Sequence, residues 1–170
     1  MYHNIEPLNS RGEINVIIEI LAQAPPVKYE IDKNTGLLTV DRFLSVSMSY
    51  PCNYGFIPNT LSKDNDPVDV LVITSQPLVN GCIIKCKPVA VLLMEDESGE
   101  DEKVIAVPCD GINSGFEHIN DYKDIPENTL NKIKHFFERY KDLDVNKWVK
   151  VTGFKDKEHA LQMIREGIDR

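Results

Sequence analysis

The chain has 170 residues, of which 42% are hydrophobic and 27% charged. That composition suits one globular domain with a buried core, spanning 1–170, and not a disordered segment. Its formal charge of −8 argues against nucleic acid as a partner, because phosphate-backbone binding needs a surplus of Lys and Arg.

In chain order, the first half reads as β-structure. Residues 1–21 alternate apolar and polar side chains, unlike the continuous apolar core of a signal peptide. Within Ile14–Leu21, Ile14, Val16, Ile18 and Ile20 share one face, while Asn15 and Glu19 look the other way. Val27–Asp32 alternates again and sets Lys28 and Glu30 side by side. Asn34-Thr35-Gly36 is turn chemistry, and Leu37–Leu44, which carries Arg42, is the return strand. Val68–Ser75, Cys82–Met94 (bent near Pro88) and Lys103–Cys109 read as further strands, with acidic Glu95–Glu102 as a hairpin loop. No run approaches about 18 apolar residues, so no membrane span is expected.

The last third turns helical. Pro126 suits a first helical position, followed by Leu130, Ile133, Phe137 and Tyr140 at helical spacing. Trp148–Phe154 is a strand. Asp156 reads as the N-cap of a final helix with Ala160, Leu161, Ile164 and Ile168 inward. The pattern predicts an α+β fold, a small antiparallel barrel with two helices outside it. Cys52, Cys82, Cys86 and Cys109 form no C-x-x-C pair and read as free thiols in a reducing cytoplasm. The histidines are scattered, which disfavours a zinc centre.

The chemistry is concentrated in Asp64-Asn65-Asp66-Pro67-Val68-Asp69-Val70. Carboxylates this close repel unless a cation neutralises them, and oxygen-only ligands favour a hard ion such as Mg²⁺ or Mn²⁺. A bare D-x-D is more often a solvated acidic turn. An EF-hand loop fails on spacing, with Asp69 where glycine is needed and Ser75 where a bidentate Glu belongs. Asp96, Glu97, Asp101 and Lys103 in and beside the acidic loop form a second group. Lys28, Glu30 and Arg42 form a third, and Tyr140-Lys141 at the end of a helix a fourth. A cation at a helix C-terminus also has an ordinary role in meeting the dipole.

Together with the Tyr50-Pro51-Cys52-Asn53-Tyr54-Gly55 stretch, which reads as a turn, and FFERYKDL, these groups occur in order along the chain. The chain in this respect closely resembles the soluble family I inorganic pyrophosphatases of bacterial type, from about Ile14 onward. The resemblance implies a five-stranded OB-like barrel with two flanking helices, assembled as a homohexamer, that hydrolyses pyrophosphate with Mg²⁺ (Mn²⁺ or other divalent ions substituting). It also assigns roles residue by residue. Asp64, Asp69 and Asp101 match ligands of a tight metal site, and Asp69 also serves a second metal. Asp96 joins Asp101 for metals arriving with substrate. Glu19, Glu30 and Glu97 match outer-shell carboxylates. Lys28, Arg42, Tyr54, Tyr140 and Lys141 match phosphate contacts, Lys103 is a further basic group of the site, and Asp66 matches the general base. Asn65 stands where many members have glycine or serine and Lys63 where an apolar residue is common; neither removes a ligand.

Two absences agree with a phosphate substrate lacking a nucleoside. Neither G-x-x-x-x-G-K nor G-x-G-x-x-G occurs. The rival classes are a single-strand-binding barrel, disfavoured by 8% aromatics and acidic charge, and a structural calcium protein, disfavoured by the loop spacing.

Overall fold

The computed structural model describes residues 2–170. In chain order it contains β1 (Ile14–Ile20), β2 (Val27–Ile31), β3 (Leu38–Phe43), β4 (Asn53–Ile57), β5 (Val68–Val72), β6 (Ile83–Asp96), β7 (Gly99–Glu100) and β8 (Lys103–Pro108). A 3₁₀ turn at Tyr122–Asp124 precedes α1 (Glu127–Arg139), β9 (Val149–Lys155) and α2 (Lys157–Asp169).

Five strands close into a ring. β1 pairs β4, β4 pairs β5, β5 pairs β8, β8 pairs β6, and β6 returns to β1. The expected barrel is thus present, with one correction. An odd number of strands cannot alternate direction all the way around a closed ring, so one pair must run parallel. That pair is β5–β8, with Val70 opposite Val104 and Leu71 opposite Ile105. Long β6 serves as the spine: β1 takes its first residues, β8 its middle, and β9 and β7 its far end. The bend foreseen near Pro88 is a register shift between Pro88 and Ala90.

β4 corrects a second expectation. The Pro-Cys-Asn-Tyr-Gly composition reads as a turn, yet Asn53–Ile57 is a fully buried ring strand. The side-chain amide of buried Asn53 donates to Val72 O and Thr74 Oγ1, and its oxygen accepts from the N–H groups of Ala22 and Leu78, so its polarity is satisfied internally. Gly55 permits the close approach: a Cβ there would lie 1.9 Å from the carbonyl oxygen of Ile17.

Period two sorts the ring residues between two helices. Val68, Val70 and Val72 of β5 join Val104 and Ala106 of β8 in the cluster that holds Ala160 and Ile164 of α2. Leu71, Ile105 and Val107 join the cluster that holds Ile133, Phe136 and Phe137 of α1. Pro126 turns out to be the N-cap of α1, with Glu127 the first helical residue. Asp156 caps α2 as expected, accepting from His159 N at 3.1 Å. Ile168 does not face inward; it is exposed, and Gly167 takes the inward place because a Cβ there would meet Val68 Cγ2 at 2.9 Å. The four cysteines are free. Among the described residues no helix is long and apolar enough to cross a membrane.

Candidate active site

Asp69 belongs to the alternate set of β5, so it faces the α1 side while its valine neighbours face α2. On β8 the same alternation places Lys103 on that side. Because Val70 lies opposite Val104, Asp69 and Lys103 are neighbours across the parallel pair. The Lys103 ammonium donates to Asp69 Oδ2 at 2.9 Å, Asp101 Oδ1 at 3.1 Å and Tyr54 Oη at 3.2 Å. It is only 3% exposed and also lies over the rings of Tyr54 and Phe137.

Two bulges turn further charges to the same place. Between β1 and β4 the register runs Ile18 to Gly55 and then Ile20 to Tyr54, which leaves Glu19 as the extra residue. Its buried carboxylate accepts from Ile31 N at 2.7 Å. In the separate β2–β3 sheet, Lys28 lies opposite Arg42 and Tyr29 opposite Val40, so Asp41 is the extra residue there. Asp41 Oδ2 lies 3.3 Å from Lys28 Nζ and 4.0 Å from Arg42 Nε. Bulges of this kind bend a strand and re-aim a side chain next to a site.

The acidic loop between β4 and β5 is held from both ends. Thr60 Oγ1 donates to Ile57 O and accepts from Val68 N, while Asp64 Oδ1 accepts from Asp66 N at 3.0 Å. Asn65 has φ +69°, a left-handed conformation that asparagine and glycine tolerate, which accounts for the residue found there. The end of α2 supports the same loop. Leu61 N donates to Gly167 O at 2.9 Å, and Arg170 Nη1 donates to Leu61 O at 3.2 Å. Lys63 points away to Glu100 at 2.9 Å.

At the far end of α1, Tyr140 is the C-cap and stacks on Phe136. Lys141 follows and donates to Asp96 Oδ2 at 3.0 Å and Glu97 Oε1 at 3.4 Å. One cavity of about 240 Å³ therefore brings together Glu19, Lys28, Glu30, Arg42, Tyr54, Asp64, Asp66, Asp69, Asp96, Asp101, Lys103, Tyr140 and Lys141. Of the side chains singled out from the sequence, only Glu97 is not in the wall; it reaches the site through Lys141. A second cavity of about 250 Å³ lies against α2 and shares Asp64, Asp69 and Asp101 with the first. Lys28, Arg42, Lys103 and Lys141 line only the first, whereas Lys63, His159 and Arg170 line only the second.

The electrostatics point to a cation. Burial raises the Asp69 carboxyl above its ordinary value, with Lys103 opposing and Asp101 adding to the rise. Burial pushes Glu19 up to about 7, against the Ile31 N–H and with help from Asp69 and Glu30. Burial opposes the charge on Lys103, but Asp69, Tyr54 and Asp101 outweigh it and hold its pKa well above that of an ordinary lysine. Glu97 Oε2 is buried without a hydrogen-bond partner. Among the described residues no three acidic, histidine or cysteine side chains stand as a ready-made metal cage. The ammonium groups of Lys103 and Lys141 draw the carboxylates together instead. An all-oxygen donor set, raised acid pKa values and an unpartnered buried oxygen fit a hard divalent ion.

Several neighbours were not evident from the sequence. Asp41 braces Lys28, Asp144 reaches Arg42 at 3.4 Å, Lys33 reaches Asp66 at 3.3 Å and Lys147 reaches Glu97 at 3.2 Å. Only Asp41, adjacent to Arg42 and left over in the hairpin register, carries a local signal. The others come from loops brought near by tertiary packing.

The family described as Inorganic pyrophosphatase matches residues 16–170. An inorganic pyrophosphatase from Rickettsia prowazekii is 58% identical over 161 residues, covering 95% of this chain and 94% of that relative. One from Brucella melitensis is 52% identical over 162 residues, covering 95% and 92%. The solved inorganic pyrophosphatase of Coxiella burnetii superposes with a TM-score of 0.94 at 49% identity, covering 98% and 99% of the two chains. That of Thermus thermophilus gives 0.92 at 40%, covering 100% and 98%.

Proposed function

Since the chain belongs to the inorganic pyrophosphatase family and is of bacterial type, hence an inorganic diphosphatase, we propose that it cleaves pyrophosphate by attack of a water within a multi-metal Mg²⁺ site. The observation that carries this reading is the cavity in which the cationic side chains of Lys28, Arg42, Lys103 and Lys141 face a group of carboxylates, two of which, Asp69 and Glu19, are disfavoured as anions by burial.

Asp64, Asp69 and Asp101 would hold the tighter ion, with Asp69 reaching a second and Asp96 joining for ions that arrive with substrate. Bound there, Mg²⁺ covers substrate charge and acidifies a water. Glu19, Glu30 and Glu97 would accept from waters around the ions. Asp66, at the cavity mouth with its side chain 71% exposed, takes the proton from the attacking water. The water oxygen bonds to one phosphorus as the bridging P–O bond breaks, and the bridging oxygen leaves on the second phosphate. Lys28, Arg42, Lys103 and Lys141 take up the charge that develops on the two phosphoryl groups. Tyr54 accepts from Lys103 and donates to the Asp69 carboxylate, which holds its ring beside the phosphate, and Tyr140 adds a hydroxyl to the same cavity.

The same reading extends to Mn²⁺ or other divalent ions in place of Mg²⁺, to a cytoplasmic setting that suits four free cysteines, and to a homohexamer. Exposed Leu37, Val40 and Phe43 on the hairpin supply apolar surface for self-association, which light scattering at micromolar concentration reads as mass.

Turnover against Mg²⁺ concentration separates the two aspartate roles. Asp69→Asn should regain part of its lost rate as Mg²⁺ rises. Asp66→Asn should lose about 10²–10⁴-fold, with no rescue by metal and partial rescue by higher pH. The reverse pattern would exchange base and ligand, and full activity in excess chelator would remove the metal from the reaction.

A further inference from the structure

We propose that Asp144 is a positioning residue for Arg42, and that the turn after α1 thereby sets the aim of the phosphate-binding hairpin. The proposal rests on the reading of Arg42 as a phosphate contact.

Asp144 lies in a solvent-facing turn between Leu143 and Val145, which are 69% and 83% exposed. Its own side chain is only 18% exposed, because it turns inward. Oδ2 accepts from Arg42 Nη1 at 3.4 Å, and Oδ1 accepts from Ser45 Oγ. One carboxylate thus fastens two points of the chain that lie about a hundred residues earlier, the end of β3 and the segment after it. The Asp144 N–H donates to Lys141 O at 3.0 Å, so the same short turn that delivers Lys141 into the cavity also carries the clasp.

The clasp has mechanical work to do. β2 and β3 form their own two-stranded sheet, with no ladder to the ring, so ring hydrogen bonds do not fix the place of Arg42. Its guanidinium is hydrogen-bonded at one edge, Nη1 on Asp144, while Asp41 lies 4.0 Å from Nε and adds charge attraction without a hydrogen bond. Among the described residues Nη2 has no protein acceptor, and Arg42 lines the cavity. A fork hydrogen-bonded to one carboxylate and attracted by a second presents its remaining donors to a phosphate in a set direction. Loss of one brace releases a long side chain whose reordering must then be supplied at each binding event.

A partly exposed ion pair with no further role would leave catalysis untouched. The test is a double-mutant cycle read in kcat and KM for magnesium pyrophosphate, with melting temperature followed for every variant. Asp144→Asn should lower kcat/KM about 5- to 20-fold with little change in melting temperature. Asp144→Glu should restore it to within about threefold, because it returns the carboxylate. In an Arg42→Ala background, Asp144→Asn should add less than about a twofold further loss, because its effect passes through the missing guanidinium. Asp142→Asn, which removes a charge from the same turn at an exposed pair with Arg139, should leave kcat and KM unchanged. Wild-type kinetics in Asp144→Asn, or a fully additive loss in the double variant, would overturn the proposal and leave Arg42 as a phosphate contact. Wild-type kcat/KM in Arg42→Ala would overturn that underlying reading as well.

Discussion

The cavity is built from two unlike halves. One stands on the ring, where Asp69 and Lys103 sit on paired strands, Tyr54 on the strand beside them, and the ammonium is closed off from water. The other stands on the β2–β3 hairpin, where Lys28 and Arg42 are a third exposed and no ladder joins the strands to the ring. In the ring half charges are desolvated, so each depends strongly on its partner. In the hairpin half solvent screens them, and aim matters more than strength. Low dielectric and fixed geometry are placed where acids must be held close together. The solvent-screened cations stand on the hairpin instead.

The largest test of this contrast is Lys103→Met. Removing the ammonium leaves Asp69 and Asp101 close together and uncompensated, at a cost of about 3–5 kcal/mol in unfolding free energy without metal. Saturating Mg²⁺ should recover part of that loss in a denaturant titration. The same truncation on the solvent side, Lys33→Met, breaks a pair whose side chains are 59% and 71% exposed and should cost about 0.5 kcal/mol or less. Equal losses at the two positions would erase the distinction between the halves.

A smaller effect is read through pH. Glu19 has a folded-state pKa of about 7 against 4.5 for a free glutamate. Below pH 4.5 it is protonated in both states and costs nothing. As pH rises toward 7 the unfolded chain ionises first, so stability falls by up to about 3 kcal/mol and then levels off. Glu19→Gln keeps an oxygen for Ile31 N and should abolish that decline, making the variant the more stable protein at pH 8 in chelator and equal at pH 4. Parallel stability–pH curves for the two proteins would show that the carboxylate is not strained.

The ring half was also the more legible in sequence. The alternation in Val68-Asp69-Val70-Leu71-Val72 states outright that Asp69 opposes the valines, and Lys103 leads a strand of the same kind. β4 escaped because the residues that let it pack so tightly, Asn53 and Gly55, are those that ordinarily mark turns. Glu19 was placed facing away from its isoleucine neighbours, but its reach into the cavity depends on a bulge, and a one-residue shift has no signature in a single strand. Ile168 continues the helical period of α2, but Gly167 takes the place in the last turn that packs against Val68 and leaves Ile168 exposed beside it. The clasp of Asp144 on Arg42 spans most of the chain and is a product of tertiary packing alone.

The contact between Gly167, Arg170 and Leu61 bears on how the protein is handled. The last turn of α2 is tied by hydrogen bonds to the loop that carries Asp64 and Asp66, so force applied through Gly167 or Arg170 passes to that loop within a few residues. The opposite end meets the structure through Tyr2 and Ile5, whose carbonyls accept from Asn59, on the other flank of the same β4–β5 connection. For immobilisation the exposed turn that carries Ile112 and Ser114 offers side chains to anchor without replacing Gly111 or Gly115, whose φ values of +88° and +97° disfavour any other residue.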